Sequence, residues 1–173
     1  SISKVTHDIV SNVAPKVENH YLPHGVDSNI FKKLNEDQMV SLKKQNFGED
    51  DDKFTFFWNN RNARRKQTGS LIMWFGQFAE EVGPENVRLI MHTDPKDPHG
   101  QDIHALLNDH NFADGRIVVS SQKVPPEQLS AMYNLSDCTI NISDAEGFGL
   151  ATLESLSCET PIIVNMTGGL QEQ

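Results

Sequence analysis

Between residues 54 and 164 the chain alternates five short apolar runs with segments of helical period, and that order leaves few folds open. KFTFFWNN has the aromatic and β-branched density of a buried strand at about 54 to 58, and LIMWFGQFAEEV, 71 to 82, predicts a helix that buries one side. The alternation continues with VRLIMHT as strand, DIHALLNDH as helix, RIVVS as strand and PPEQLSAMYNL as a helix with Pro126 in its first turn. CTINIS, LATLESLSC and TPIIVN complete it as strand, helix and strand. Successive βαβ units build a parallel sheet with right-handed crossovers and helices on both faces, so an α/β three-layer sandwich is expected. Upstream, Asn35 can cap a helix over 36 to 46 whose apolar face is Met39, Val40 and Leu42, with Gly48 after its end. The acidic run EDDD at 49 to 52 reads as a solvated loop.

At 173 residues the chain has the length of one ordinary domain with a real core. Its 15 Lys and Arg stand against 24 Asp and Glu, a formal net charge of -9. The surface as a whole therefore repels nucleic acid and anionic lipid, and any anion site must be local. No apolar run approaches the roughly 20 residues of a membrane span, and SISKVTHDIV lacks the layout of a signal peptide, which makes a cytoplasmic protein the expectation. Cys138 and Cys158 fall on predicted core elements without a CxxC or metal spacing and read as reduced core thiols. The chain opens without Met, and GGLQEQ stops where another element would begin, so a piece of a longer protein is expected.

In an open parallel sheet, ligands bind beyond the carboxyl ends of the strands, near the point where the strand order reverses. That rule selects the loops 59–66, 93–100, 120–125 and 143–149. The first carries Arg61, Arg64, Arg65 and Lys66 on an otherwise acidic chain. Such cations can meet a ligand phosphate, Arg as a planar fork and Lys as a compact charge. The last opens the stretch AEGFGLATLE, 145 to 154, which sets Glu146 and Glu154 around Gly147 and Gly149. If a helix starts near Phe148, the free N–H groups of Phe148, Gly149 and Leu150 favour an anion, and Glu154 lies roughly 8 to 9 Å along the axis. Carboxylates flanking an anion site can each hold a hydroxyl-bearing ring, which is the layout of a nucleotide sugar: ribose, diphosphate, hexose.

AEGFGLATLE resembles the E-x7-E motif of retaining glycosyltransferases built from two Rossmann domains, the GT-B architecture, and of glycosyltransferase family 4 in particular. YLPHGVDSNIF, 21 to 31, is similar to the hinge that opens the C-terminal domain of that family, and Arg61, five residues before Lys66, is similar to its phosphate-binding pair. LSAMYNLSDCTINIS resembles the helix and strand before the motif, and CETPII and TGG follow where the family has them. The likeness covers about 22 to 173. It implies a Rossmann-like nucleotide-sugar-binding domain over 21 to 173, the C-terminal half of a GT-B enzyme, with 1 to 20 as linker or remnant of a missing N-terminal domain that holds the acceptor site. Under the resemblance, Glu154 holds the ribose hydroxyls, while Glu146 with the backbone of Gly147, Phe148, Gly149 and Leu150 holds the transferred sugar. Arg61 and Lys66 neutralise the diphosphate, and the base rests near Ser120 to Val124 and the start of the loop after His92. Two fixed cations and a helix N-terminus then stabilise the departing diphosphate, so neither a divalent metal nor another cofactor is expected. The family retains anomeric configuration through same-face attack assisted by the leaving phosphate, with Glu146 not acting as a nucleophile. The implied partners are a nucleoside-diphosphate-sugar donor and an unidentified sugar, lipid or protein acceptor, and this chain alone is expected to transfer poorly or not at all. It departs from the family at Glu159, where a small residue is usual, a change that touches a turn.

Other features carry less. HTDPKDPHG, 92 to 100, gathers His and Asp, but two prolines fix an irregular path and no Cys assists, so no metal site is expected. His24 reads as a hinge-packing residue, and the sequons at Asn134, Asn141 and Asn165 fall on predicted elements without a secretion signal. No Gly-x-Gly-x-x-Gly follows the first strand, no phosphate-loop lysine motif is present, and Ser143 is not in a nucleophile elbow. Two rivals remain open: a catalytically silent nucleotide-sugar-binding module, and a sugar-nucleotide epimerase on the same scaffold.

Overall fold

The computed structural model describes all 173 residues. Five strands, β1 (Phe54–Asn59), β2 (Val87–His92), β3 (Ile117–Ser120), β4 (Cys138–Asn141) and β5 (Ile162–Val164), pair in parallel in the order β3-β2-β1-β4-β5. Between them run α3 (Thr68–Val82), α4 (Ile103–Asp109), α5 (Pro126–Asn134) and α6 (Leu150–Ser157), preceded by α1 (Lys4–Val13) and α2 (Glu36–Phe47). The expected α/β sandwich with a parallel sheet is the observed fold.

The period of two along β1 divides the core. Trp58, with Leu89 and Met91 of β2 and Ile140 of β4, meets Leu71, Ile72 and Phe75 of α3 and Ile103 and Leu107 of α4. Phe57 faces the other way, onto Tyr133 of α5, Cys158 after α6, and Phe31. Cys138 and Cys158 are both buried and unpaired.

Three expectations are corrected. The helix expected over 36 to 46 forms at Glu36–Phe47 with a capping box between Asn35 and Gln38, but it buries no residue and Val40 is 63% exposed. Met39 and Leu42 are half-buried, so of the expected apolar face only Val40 is left in solvent. α3 starts three residues before the predicted 71, because Thr68, Gly69 and Ser70 add most of one turn without adding apolar periodicity. α6 starts at Leu150, not near Phe148, because Gly149 is left-handed at φ 92° and Phe148 is turned into the interior. The last residues form a 3-10 turn, Gly168–Glu172, against α1, where Lys4 N–H donates to Glu172 Oε1 at 2.6 Å and Tyr21 hydroxyl to Oε2 at 3.0 Å.

Candidate functional site

The strand order turns back at β1: the chain steps to β2 and β3 on one side, then lays β4 and β5 on the other. The β1–α3 and β4–α6 loops therefore meet at the crevice where open parallel sheets take ligands. Side-chain and backbone hydrogen bonds join them. Asp144 N–H donates to the Arg65 carbonyl at 2.8 Å, and Arg65 Nη1 donates to the Ala145 carbonyl at 2.7 Å. Lys66 Nζ donates to Glu146 Oε2, and Gln67 Nε2 to Asp144 Oδ2. The Lys66 side chain is only 6% exposed, and burial lowers its pKa while the Glu146 carboxylate works against that shift. Gln67 makes the turn possible at φ 56°, an uncommon conformation for a residue with a Cβ.

The glycine pair in AEGFGLATLE is unequal. A Cβ on Gly149 would stand 2.5 Å from Leu170 Cδ2, and its backbone is left-handed, so both space and conformation demand glycine. A Cβ on Gly147 would meet only Ile2 Cδ1, at an ordinary 3.6 Å. The close approach comes instead from the TGG segment: Gly169 N–H donates to the Glu146 carbonyl at 3.1 Å, and a Cβ on Gly168 would overlap that same carbonyl. This packing shapes the 146–149 loop so that the N–H groups of Phe148, Gly149, Leu150 and Ala151 find no acceptor in the protein. Unpaired amides at a helix start are an anion-binding feature.

In the second turn of α6, Glu154 is half-buried, and burial raises its pKa, opposed by a bond from Tyr133. Tyr133 hydroxyl donates to Glu154 Oε2 at 2.7 Å and accepts from Asn59 Nδ2 at 2.9 Å. Asn59 ends β1, pairs in register with His92 at the end of β2, and His92 in turn pairs with Ser120. His92 Nδ1 and Ser120 Oγ are 3.0 Å apart, and burial lowers the His92 pKa. The carboxyl edge of the sheet is thus a row of polar ends. Val124 lies off that row, beside Leu42 of α2 and Met132 of α5.

Arg61 does not join Lys66. Its guanidinium binds Asp97 through Nε at 2.6 Å and Nη2 at 3.2 Å, and meets His99 Nδ1 at 2.8 Å. That bond holds Asp97 well below the usual carboxylate range. Arg65 lies beside Lys66, 3.4 Å from Glu146 Oε2. The loop 92–100 spends its Asp97 on Arg61, and no three His, Cys, Asp or Glu side chains converge as a metal set. A cavity of about 480 Å³ opens at the start of α3 beside Arg64, Thr68 and His99, but neither Glu146 nor Glu154 lines it.

With this geometry in view, the relatives of the chain are informative. Residues 40–173 match the family described as "Glycosyl transferases group 1". The chain belongs to this family. Among curated proteins it is 24% identical over 165 residues to alpha-monoglucosyldiacylglycerol synthase of Streptococcus pneumoniae, covering 94% of this chain and 36% of that protein. Among solved structures it superposes on sucrose-phosphate synthase from Thermosynechococcus elongatus with a TM-score of 0.80 at 21% identity, over 99% of this chain and 41% of that one. Anabaena Alr3699/HepE, solved in complex with UDP and glucose, gives 0.78 at 17% identity, over 99% and 45%. The chain thus spans less than half the length of these relatives, and it shares with the solved ones the Rossmann-like fold of a GT-B glycosyltransferase half.

Within this group 1 domain, sequence reasoning missed Asn59, Tyr133, Gln67 and Asp97. Asn59 was within reach: it shares the strand face of Phe57, so it points to the same side as α5 and α6. Tyr133 reads as a core aromatic, and only the pairing of α5 with α6 shows its hydroxyl meeting Glu154.

Proposed function

We propose that this chain carries the donor site of a retaining glycosyltransferase that moves a hexose from a nucleoside-diphosphate sugar to an acceptor without a divalent metal. Family membership makes the protein a glycosyltransferase; the finer reading rests on the site. The observation that carries it is the meeting, at the strand-order reversal, of Lys66, Glu146 and the unpaired amides of Phe148 to Ala151, with Glu154 in the following turn. As the bond to the anomeric carbon breaks, negative charge grows on the diphosphate. A buried cation and fixed N–H groups stabilise that charge where it develops, without reorganisation. Arg65 reinforces Lys66, while Arg61, engaged by Asp97, adds charge from the rim. Glu146 is held by Lys66 and Arg65, which suits a group that orients sugar hydroxyls better than a nucleophile. Retention then follows from attack on the face that the diphosphate leaves, assisted by its oxygen.

The solved relative that holds UDP and glucose makes UDP the first nucleotide to try. The acceptor of the curated relative is not carried over, since that protein is more than twice as long as this chain. The test is calorimetric titration with UDP, GDP and ADP, with EDTA present throughout. One of the three is expected to bind, and Lys66→Ala and Glu154→Ala are each expected to weaken it about tenfold or more. Binding that neither change affects, or no binding by a folded chain, would refute the reading. Any slow hydrolysis of a bound donor is expected to release sugar with the donor's anomeric configuration, read by proton NMR.

A further inference from the structure

Glu154 is fixed by two residues outside the motif. Its Oε2 accepts the Tyr133 hydroxyl at 2.7 Å, and that hydroxyl accepts from Asn59 Nδ2 at 2.9 Å. Tyr133 is fully buried, its ring edge-on to Phe57 at 5.1 Å and to Phe31 at 6.2 Å between centroids. Its position is therefore set by the core and not by the hydroxyl. A phenol has one proton, and an amide NH2 can only donate. With Asn59 donating to the Tyr133 oxygen, the phenol proton is directed to Glu154, and the chain of bonds has one direction: amide, phenol, carboxylate. Oε1 of Glu154 receives no bond from the protein.

We propose that Asn59 and Tyr133 are positioning residues that lock the Glu154 carboxylate with Oε1 free, so that the site selects nucleotides carrying ribose hydroxyls over those lacking them. This rests on the donor site proposed above. The physical advantage is preorganisation: a carboxylate already confined to one orientation gives up little rotational freedom when a hydroxyl binds. Burial, the larger effect, favours the protonated acid, and the Tyr133 bond works against it. The other titratable group coupled to this pair is the buried Cys158 thiol, whose pKa is also raised, chiefly by burial.

The experiment compares the chain with Tyr133→Phe and Asn59→Ala. Each is titrated with UDP, GDP and ADP and with their 2′,3′-dideoxy counterparts. Tyr133→Phe keeps the packed ring, and melting curves verify the fold. The unaltered chain is expected to prefer the ribonucleotide about tenfold, and Tyr133→Phe to reduce that preference to about twofold while leaving dideoxynucleotide affinity in place, with Asn59→Ala between them. In ligand-free protein, the Glu154 carboxyl followed by carbon NMR is expected to titrate at higher pH in Tyr133→Phe. A folded Tyr133→Phe that keeps both the ribose preference and the Glu154 titration of the parent would overturn the proposal and leave the bond a purely structural one. Absence of nucleotide binding by the unaltered chain would instead remove the donor site, and the ribose role with it.

Discussion

Glu154 sets stability against use. Its carboxyl is raised above the ordinary 4.5 by burial, with Tyr133 opposing. The folded state therefore binds more protons than the unfolded state between 4.5 and the raised value, and stability falls as pH rises through that window. Glu154→Gln keeps the shape and an acceptor for Tyr133 while removing the charge. We expect it to melt higher than the parent at pH 7, to match it at pH well below 4.5, and to bind nucleotide more weakly. Melting curves across pH beside a titration check all three. Asp97 has the opposite sign: held by Arg61 below its ordinary 3.8, it contributes stability that is present above that value and is lost as pH falls beneath it. Asp97→Ala is accordingly expected to flatten the acid limb of the stability curve. At Gly149, alanine meets left-handed backbone, which alone costs about 1–2 kcal/mol, and a collision with Leu170 besides. At Gly147 it meets open contact, and the change is expected to stay within about 0.5 kcal/mol. Denaturant unfolding of the two variants separates them; equal losses would mean that the loop is not shaped as described.

Among the elements, the link that matters is the one between the β1–α3 and β4–α6 loops. Lys66 reaches across it to Glu146. Lys66→Met should cost about 2 kcal/mol by stranding a charge-assisted bond, and should raise hydrogen exchange at residues 142–149 more than at β2 or β3. Uniform loss of protection would contradict a local role for this pair. The strands themselves were legible, because parallel strands buried on both faces read as continuous apolar runs, and parallel pairing forces helices between them. Helix starts were less so: Thr68 to Ser70 carry no periodic signal, and the start of α6 depends on the conformation of Gly149. The stretch around Glu146 and Glu154 stood out because both carboxylates flank one turn. The partner of Arg61 did not, since Asp97 lies 36 residues away in a loop without pattern. Tyr133 and Glu154 are 21 residues apart on separate helices, and only packing reveals their contact.

Across the whole molecule, one face of the sheet is less covered than the other. Phe56, Trp74, Phe78, Ile140, Ile142 and Ile163 line an apolar groove beside α3, with Trp74 61% and Ile163 51% exposed. Exposed apolar surface of this kind binds hydrophobic probes. The native chain is expected to enhance ANS fluorescence, and Trp74→Ser with Phe78→Ser to abolish most of that signal without lowering the melting temperature by much. Unchanged fluorescence would place the exposed apolar surface elsewhere. No helix is long and apolar enough to cross a membrane. The polar edge of the sheet and the two loops at its strand-order reversal, by contrast, hold the groups on which the donor reading rests. The most direct test of that reading maps where a nucleotide lands: nitrogen–proton correlation spectra of the chain titrated with UDP, GDP and ADP. The expected result is that one nucleotide shifts the amides of Phe148 to Ala151 and the Asn59 side chain, and that Glu154→Ala suppresses these shifts. Shifts centred instead on the cavity at Arg64, Thr68 and His99, with the α6 amides unmoved, would contradict it.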